Sequence, residues 1–198
     1  MCGIAGMVNL DGLEVSADIL AAMRDRMIHR GPDDSGLELF GNVGLAHRRL
    51  SIIDIHGARQ PMSDERGDVW TLLNGEIYNF RELRKGLQDK GHVFKTNSDT
   101  ETIVHLYEEK GADFVGELWG MFALAVYDRR AGKLILAKDR VGKKPLFYFK
   151  TDKRMAFASE LQGLRKHPDT PRELDFQALS DYFTFQHIPA PATAYKGV

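Results

Sequence analysis

The sequence holds a single cysteine, at position 2 of the opening stretch MCGIAGMVNL. A thiolate is a strong nucleophile, but a free thiol has a pKa near ~8.5 and is mostly protonated at neutral pH, so it needs a base. Removal of Met1 would make Cys2 the chain terminus and give one residue both a thiol and an α-amine. Such an amine titrates near ~7.7–8.0 and is half-poised as a base. Amine-assisted attack is the solution used by N-terminal threonine, and its logic transfers to cysteine. The small side chain of Cys2 suits removal of Met1 by an aminopeptidase. While Met1 remains, the Cys2 nitrogen is an amide without useful basicity. The seven histidines, His29, His47, His56, His92, His105, His167 and His187, form no Cys/His protease signature. Against this chemistry stands a plainer reading of Cys2 as a small buried hydrophobe at a strand start.

The elements that must hold Cys2 are written in the apolar periodicity. Gly3 to Asn9 reads as a strand closed by Leu10-Asp11-Gly12. Ser16 can N-cap a helix with Ile19, Leu20, Met23 and Met27 on one face, stopped at Arg30-Gly31-Pro32. Gly36 to Phe40 and Val43 to His47 look like paired strands around Gly41-Asn42, and Leu50 to Asp54 is a short β-branched run. Val69 to Leu73 reads as a strand ending at the turn dipeptide Asn74-Gly75. A helix over Phe80 to Lys90 turns Leu83 and Leu87 inward, with Gly91 as C-cap. Ser98-Asp99 caps the next, Thr100 to Lys110, and a short helix is expected around Phe114 to Leu118. Met121 to Tyr127 and Lys133 to Ala137 form the clearest hairpin, followed by strands at Leu146 to Phe149 and Met155 to Ala158 and a helix over Asp175 to Phe185. Strands, then helices, then strands predict an α+β layered domain rather than alternating βαβ units.

Composition narrows the function classes. At 198 residues, with 43% hydrophobic and 28% charged, the chain is ordinary globular material able to bury a core without staples. One cysteine allows no internal disulfide, and nothing points to secretion. A net charge of −1 argues against a nucleic-acid binder. The first ten residues lack a basic n-region, and Met121 to Tyr127 is too short to span a bilayer. A cytoplasmic protein without membrane or nucleic-acid partners is the expectation.

Seven segments run in order through the chain: MCGIAG, RGPDDSG at 30–36, HRRLSIID at 47–54, NGEIYN at 74–79, NSDTE at 97–101, GMFALAVYD at 120–128 and DRVGKKPLFY at 139–148. Each alone is weak; as an ordered set they resemble the glutaminase domain of class II glutamine amidotransferases, specifically that of glutamine-dependent asparagine synthetases. The resemblance implies the N-terminal-nucleophile hydrolase fold, an αββα sandwich of two antiparallel sheets between helical layers. It implies that Cys2 attacks the side-chain amide of L-glutamine, with its α-amine as base and then acid, and that the ammonia released passes to a second site.

The same resemblance assigns further roles. Arg49 pairs with the glutamine α-carboxylate, for which a planar guanidinium fork is suited; strand alternation turns Arg48 the other way, to a solvated or structural role. Asp99 takes the α-ammonium, while its sequence position equally fits a helix N-cap. The Asn74 side chain and the Gly75 N–H form the oxyanion hole, where a plain turn is the simpler alternative. Glu76 and the backbone of Leu50, Ser51, Ile52 and Ile53 line the glutamine pocket. RGPDDSG is read as structural support, with Arg30 paired to a buried carboxylate, and DRVGKKPLFY as a hairpin edge.

RGPDDSG and HRRLSIID favour the asparagine-synthetase branch over sister families that carry a loop closer to RG-x-x-SAG. Synthetases that amidate other carboxylates share that branch, and the acceptor is left open. The expected domain covers residues 2–186, with 187–198 as a linker toward a synthetase domain acting in cis or in trans. No SGG-x-DS phosphate loop, Walker motif or G-x-G-x-x-G occurs in these residues, so Mg-ATP is expected only in that synthetase domain. The histidines show no paired ligand spacing, so no metal is expected here. A homodimer is left open. Two competing readings are another N-terminal-nucleophile amidohydrolase, such as an acylase, and a docking module that keeps the fold.

Overall fold

The computed structural model describes residues 1–51 and 57–198. Nine strands, β1 (Gly3–Asn9), β2 (Asp34–Phe40), β3 (Val43–Arg49), β4 (Met62–Ser63), β5 (Val69–Ile77), β6 (Gly120–Asp128), β7 (Lys133–Lys138), β8 (Phe147–Lys150) and β9 (Arg154–Ala158), form two sheets. The first has the order β2-β3-β1-β9-β8 and the second β4-β5-β6-β7. Every pairing between neighbours is antiparallel. Among the described residues five α-helices accompany them: α1 (Ala17–Asp25), α2 (Phe80–Gln88), α3 (Asp99–Lys110), α4 (Leu161–Leu164) and α5 (Phe176–Phe185).

The period-two alternation of the strands sorts side chains into layers. Ile4 of β1, Val43 and Leu45 of β3, Leu72 of β5, Ala123 and Ala125 of β6 and Phe157 of β9 fill the space between the sheets. Their chain neighbours face outward. Ala5, Met7 and Ala46 pack under Leu20 and Met23 of α1 and Met27 in the turns that follow it. Leu73, Ile77, Leu124 and Val126 pack under Ile103, Val104 and Leu106 of α3 and Leu87 of α2. Three apolar layers separate four layers of secondary structure, so the αββα sandwich follows from which residues alternate.

The capping residues act as their types dictate. Ser16 accepts from the Ile19 N–H, Ser98 from the Thr100 N–H and Asp175 from the Ala178 N–H. Asp99 is therefore the first helical residue of α3 and not its cap, which leaves its carboxylate for other partners. Helix α1 stops at Asp25 and continues to Arg30 as turns. The short α4 has too few residues to register as periodicity.

One expected boundary is corrected. Asn74-Gly75 is not a turn: β5 runs straight through it to Ile77, with Gly75 opposite Phe122 of β6. Gly75 has φ +156, and a Cβ there would stand 2.1 Å from the Met121 carbonyl oxygen. Glycine is needed because the neighbouring strand comes too close for a side chain. Of the run Leu50 to Asp54, Leu50 and Ser51 are not in a strand and the rest lies outside the described residues. Near the chain end, the Asp175 N–H donates to Ala194 O and the Lys196 N–H to Glu173 O. Among the described residues no helix is long and apolar enough to cross a membrane.

Candidate active site

The inter-sheet layer ends in polar residues, and the alternation predicts which. Continuing the inward series of β3 (43, 45) gives His47 and Arg49; that of β5 (72) gives Asn74 and Glu76; that of β1 (4) gives Cys2. Cys2, Arg49, Asn74 and Glu76 line one cavity of about 270 Å³, with Leu50, Gly75 and Asp99. Seven of the expected site residues thus meet in one place. The Ser51 N–H donates to the Asp33 carboxylate at 2.8 Å. Ile52 and Ile53 lie outside the described residues.

Cys2 is held from both sides. Its Sγ lies 3.7 Å from Leu50 O, and its carbonyl oxygen accepts from Arg30 Nε at 2.8 Å. Arg30 Nη1 also donates to Glu160 at 2.9 Å. Burial alone would raise the Glu160 carboxyl; hydrogen bonds from Arg30, Gln162 and His29 overcome it and bring its pKa down to about 2. The ion pair expected for Arg30 exists, with a partly rather than fully buried carboxylate, and Arg30 also holds the Cys2 backbone. Burial pushes the Cys2 thiol above its ordinary value, and Leu50 O, the N-terminal ammonium and Arg49 only partly offset this. The thiol does not activate itself and requires a base.

The rest of RGPDDSG braces the strand end that carries Arg49. A Cβ on Gly31 would lie 2.3 Å from the Arg48 carbonyl carbon, and the Asp33 N–H donates to Arg49 O at 3.0 Å. Arg48, on the opposite face, donates to Gly31 O at 3.0 Å and reaches Asp25 at 3.7 Å. It is the structural member of the pair, and it is buried rather than solvated.

Asp99 is 5% exposed and its Oδ2 accepts from the Ile77 N–H at 3.0 Å. Burial raises its pKa, opposed by the N–H groups of Ile77 and Thr100 and the Ser98 hydroxyl. Among the described residues no cation pairs with it. A carboxylate desolvated in this way favours a cationic ligand.

Asn74 is fully buried. Its Nδ2 lies 3.4 Å from Ser159 Oγ, while its Oδ1 is buried without a partner. Amide oxygen and nitrogen are assigned from such networks. Turning the amide over lets the Ser159 hydroxyl donate to Oδ1 and leaves the Nδ2 donor without a protein partner. Ser159 Oγ already accepts from the Ile4 N–H at 3.0 Å, so its proton is free for this. On the other side, the Leu73 N–H donates to Gln60 Oε1 at 2.6 Å, and Leu73 O meets His47 Nε2 at 3.3 Å across the sheets. Burial takes the His47 pKa down to about 4, so the ring is a neutral strut.

Three contributors escaped sequence reasoning: Gln60, Ser159 and Lys144. Gln60 and Ser159 carry no local signal. Lys144 had one in DRVGKK, where the Asp139 carboxylate accepts from the N–H groups of Phe122, Val141, Lys143 and Lys144. That loop turns the buried Lys144 into the cavity, its Nζ 3.3 Å from Met1 Sδ. Two cationic side chains, Arg49 and Lys144, therefore share the cavity with Glu76 and Asp99.

Two antiparallel sheets between helices, with Cys2 at the head of the first strand, define the N-terminal-nucleophile hydrolase fold. The chain belongs to the family described as glutamine amidotransferase domain, which it matches over residues 1–198. It is 46% identical over 185 residues to asparagine synthetase [glutamine-hydrolyzing] 2 of Bacillus subtilis, covering 91% of this chain and 24% of the relative. It is 40% identical over 202 residues to asparagine synthetase [glutamine-hydrolyzing] 3 of the same organism, covering 100% and 33%. The chain thus spans a quarter to a third of the length of these relatives. Among solved structures, glutamine phosphoribosylpyrophosphate amidotransferase from B. subtilis, complexed with ADP and GMP, shares the fold with a TM-score of 0.68 at 22% identity, covering 83% of this chain and 43% of that one.

Proposed function

We propose that this chain hydrolyses L-glutamine to glutamate and ammonia through Cys2, and that the ammonia serves ATP-dependent synthesis of asparagine from aspartate. The observation that carries the reading is the meeting of a nucleophile with anchors for both ends of an amino acid in one cavity: Cys2, Arg49 and Asp99. The names of the curated relatives support the acceptor.

Met1 is removed first, which frees the Cys2 amine. Arg49 holds the glutamine α-carboxylate and Asp99 the α-ammonium, so the side-chain amide is presented to Sγ. The amine takes the thiol proton as sulfur bonds to the amide carbon. Asn74 Nδ2 and the Gly75 N–H hold the resulting oxyanion. The C–N bond then breaks, and the protonated amine gives its proton to the departing nitrogen, which leaves as ammonia. Water, deprotonated by the same amine, attacks the thioester and releases glutamate and the thiol. Glu76 and Leu50 shape the pocket. Residues assigned to Mg-ATP belong to a synthetase part, joined in cis or in trans beyond a linker at 187–198, and not to the domain at 2–186. The whole enzyme is taken to work in the cytoplasm.

The test is glutamate release from glutamine, with Cys2→Ala as control and the N-terminal mass measured on the same sample. Glutamate that forms only with Cys2 and only on chains lacking Met1 is the expected result. Glutamate release that survives Cys2→Ala overturns the reading. A Met1-free chain that stays silent even with the synthetase part added overturns it too, in favour of a docking module.

A further inference from the structure

The second constellation of chemistry-bearing side chains lies at the far end of α3. His92, in the connector between α2 and α3, meets His105 and Glu108, one helical turn apart on α3. Their potential ligand atoms, one from each residue, all lie within 4.8 Å of one another. Glu108 Oε2 stands 2.9 Å from His105 Nδ1 and 3.5 Å from His92 Nδ1. The two rings are 4.9 Å apart between centroids. His105 is 1% exposed, and Phe94 packs edge-on against it at 4.6 Å.

Proton accounting shows what the cluster lacks. A neutral imidazole has one N–H and one lone pair. His92 Nε2 faces Glu109 Oε1 at 3.1 Å, a carboxylate also bound by Lys90, so the proton belongs on Nε2. The Nδ1 lone pair of His92 then points at a carboxylate oxygen, acceptor against acceptor. If His105 carries its proton on Nδ1, it satisfies Glu108. Its Nε2 is then a buried lone pair without a partner, 3.9 Å from the Glu65 carboxylate. With neutral rings, no placement of the protons pairs every atom.

We propose that His92 Nδ1, His105 Nδ1 and Glu108 Oε2 bind a divalent transition-metal ion of the zinc type. One cation between these three atoms gives both Nδ1 lone pairs and the carboxylate a common partner. The His92 proton stays on Nε2 toward Glu109, and the His105 proton moves to Nε2, where the Glu65 carboxylate, now 3.9 Å away, must close in to accept it. Carboxylates behind metal-bound histidines are the usual outer shell of such sites. Tetrahedral zinc, with bonds of about 2.0–2.2 Å to nitrogen and oxygen, holds its ligands roughly 3.3–3.5 Å apart; the two separations from Glu108 Oε2, 2.9 and 3.5 Å, are close to this, and the ligand atoms all lie within 4.8 Å of one another. Imidazole with carboxylate suits zinc among the common divalent ions. Charge agrees: three carboxylates, Glu65, Glu108 and Glu109, face only one ammonium, Lys90, among the described residues. With three protein ligands, water completes the shell. The ion would clamp the α2–α3 connector to α3, and the site is independent of the glutaminase reading.

The test uses the untagged chain, stripped with chelator and carrying Cys2→Ser so that the thiol cannot compete. Calorimetric titration with Zn²⁺ should show one equivalent bound and a melting temperature that rises with metal. Co²⁺ should give visible bands of a tetrahedral site. His92→Ala, at a half-buried connector position, and the isosteric Glu108→Gln should each weaken binding about 100-fold or more, and Glu109→Gln about 10–100-fold, with circular dichroism unchanged. No saturable binding overturns the proposal and assigns the cluster to protonated rings. So does affinity that is unchanged in folded His92→Ala and Glu108→Gln.

Discussion

The two ends of α3 face different problems. Its first turn reaches the cavity beside Cys2 with Asp99, and there the partners are mostly backbone: the N–H groups of Ile77 and Thr100 set the carboxylate, with the Ser98 hydroxyl. Its last turns bring His105 and Glu108 to His92, and there side chains face side chains. Backbone partners belong to the strand and helix themselves and come with the fold. Side-chain partners must be supplied by sequence at distant positions and balanced in charge. The first end therefore reads as a contiguous motif, NSDTE, whereas the second has ligands scattered over residues 92 to 108.

Changes at one end should leave the other alone, and that separation can be broken from the strongest effect downward. Cys2→Ala should drop glutamate release by more than about 10³-fold, as loss of a nucleophile does, while zinc affinity stays as in Cys2→Ser. Asn74→Ala should lower kcat by about 10²–10³-fold, or roughly 2.7–4 kcal/mol, with KM little changed. A rise in KM alone would remove Asn74 from the oxyanion hole. Asp99→Asn should cost about 1.5–3 kcal/mol in kcat/KM, mostly through KM, because a charge-assisted contact to substrate is lost. Altered zinc binding in that variant would mean that the two ends are one unit. His92→Ala sits about 9 Å along the helix from Asp99, taking 1.5 Å per residue from His105, and should leave kcat within about twofold.

The smallest effects concern acid stability. Glu160 is held at about 2, below its ordinary 4.5, so its contribution is complete above 4.5 and is lost as pH falls toward 2. His47 is held at about 4 against 6.5. Between those values the unfolded chain takes up a proton that the folded chain refuses, so stability declines as pH falls through that window. Urea midpoints measured from pH 7 to pH 3 should fall, less steeply above pH 4 in His47→Gln and less steeply below pH 4.5 in Glu160→Gln. A His47→Gln profile that parallels the parent would mean that the ring is not the group responsible.

Much of the fold was legible because layers follow from alternation. The inward series Ile4, Leu45 and Leu72 continues to Cys2, Arg49 and Asn74, and the pairing and packing of the sheets bring those ends together. The reading failed at Asn74-Gly75, where a turn dipeptide lies inside a strand: local propensity cannot see that Met121 of the next strand leaves no room for a side chain.

Motif order and strand period carried the αββα architecture and the family resemblance from which the roles proposed for Cys2, Arg49 and Asp99 follow, since both depend on residue type and on spacing within one element. Tertiary structure alone decided that Gln60, Ser159 and Lys144 join the site. It also decided that Arg30 and Glu160 steady Cys2 and that His92 meets His105 and Glu108. These contacts link elements whose separation in sequence carries no period, and only the packing of helix on sheet and sheet on sheet fixes which side chains come within bonding distance.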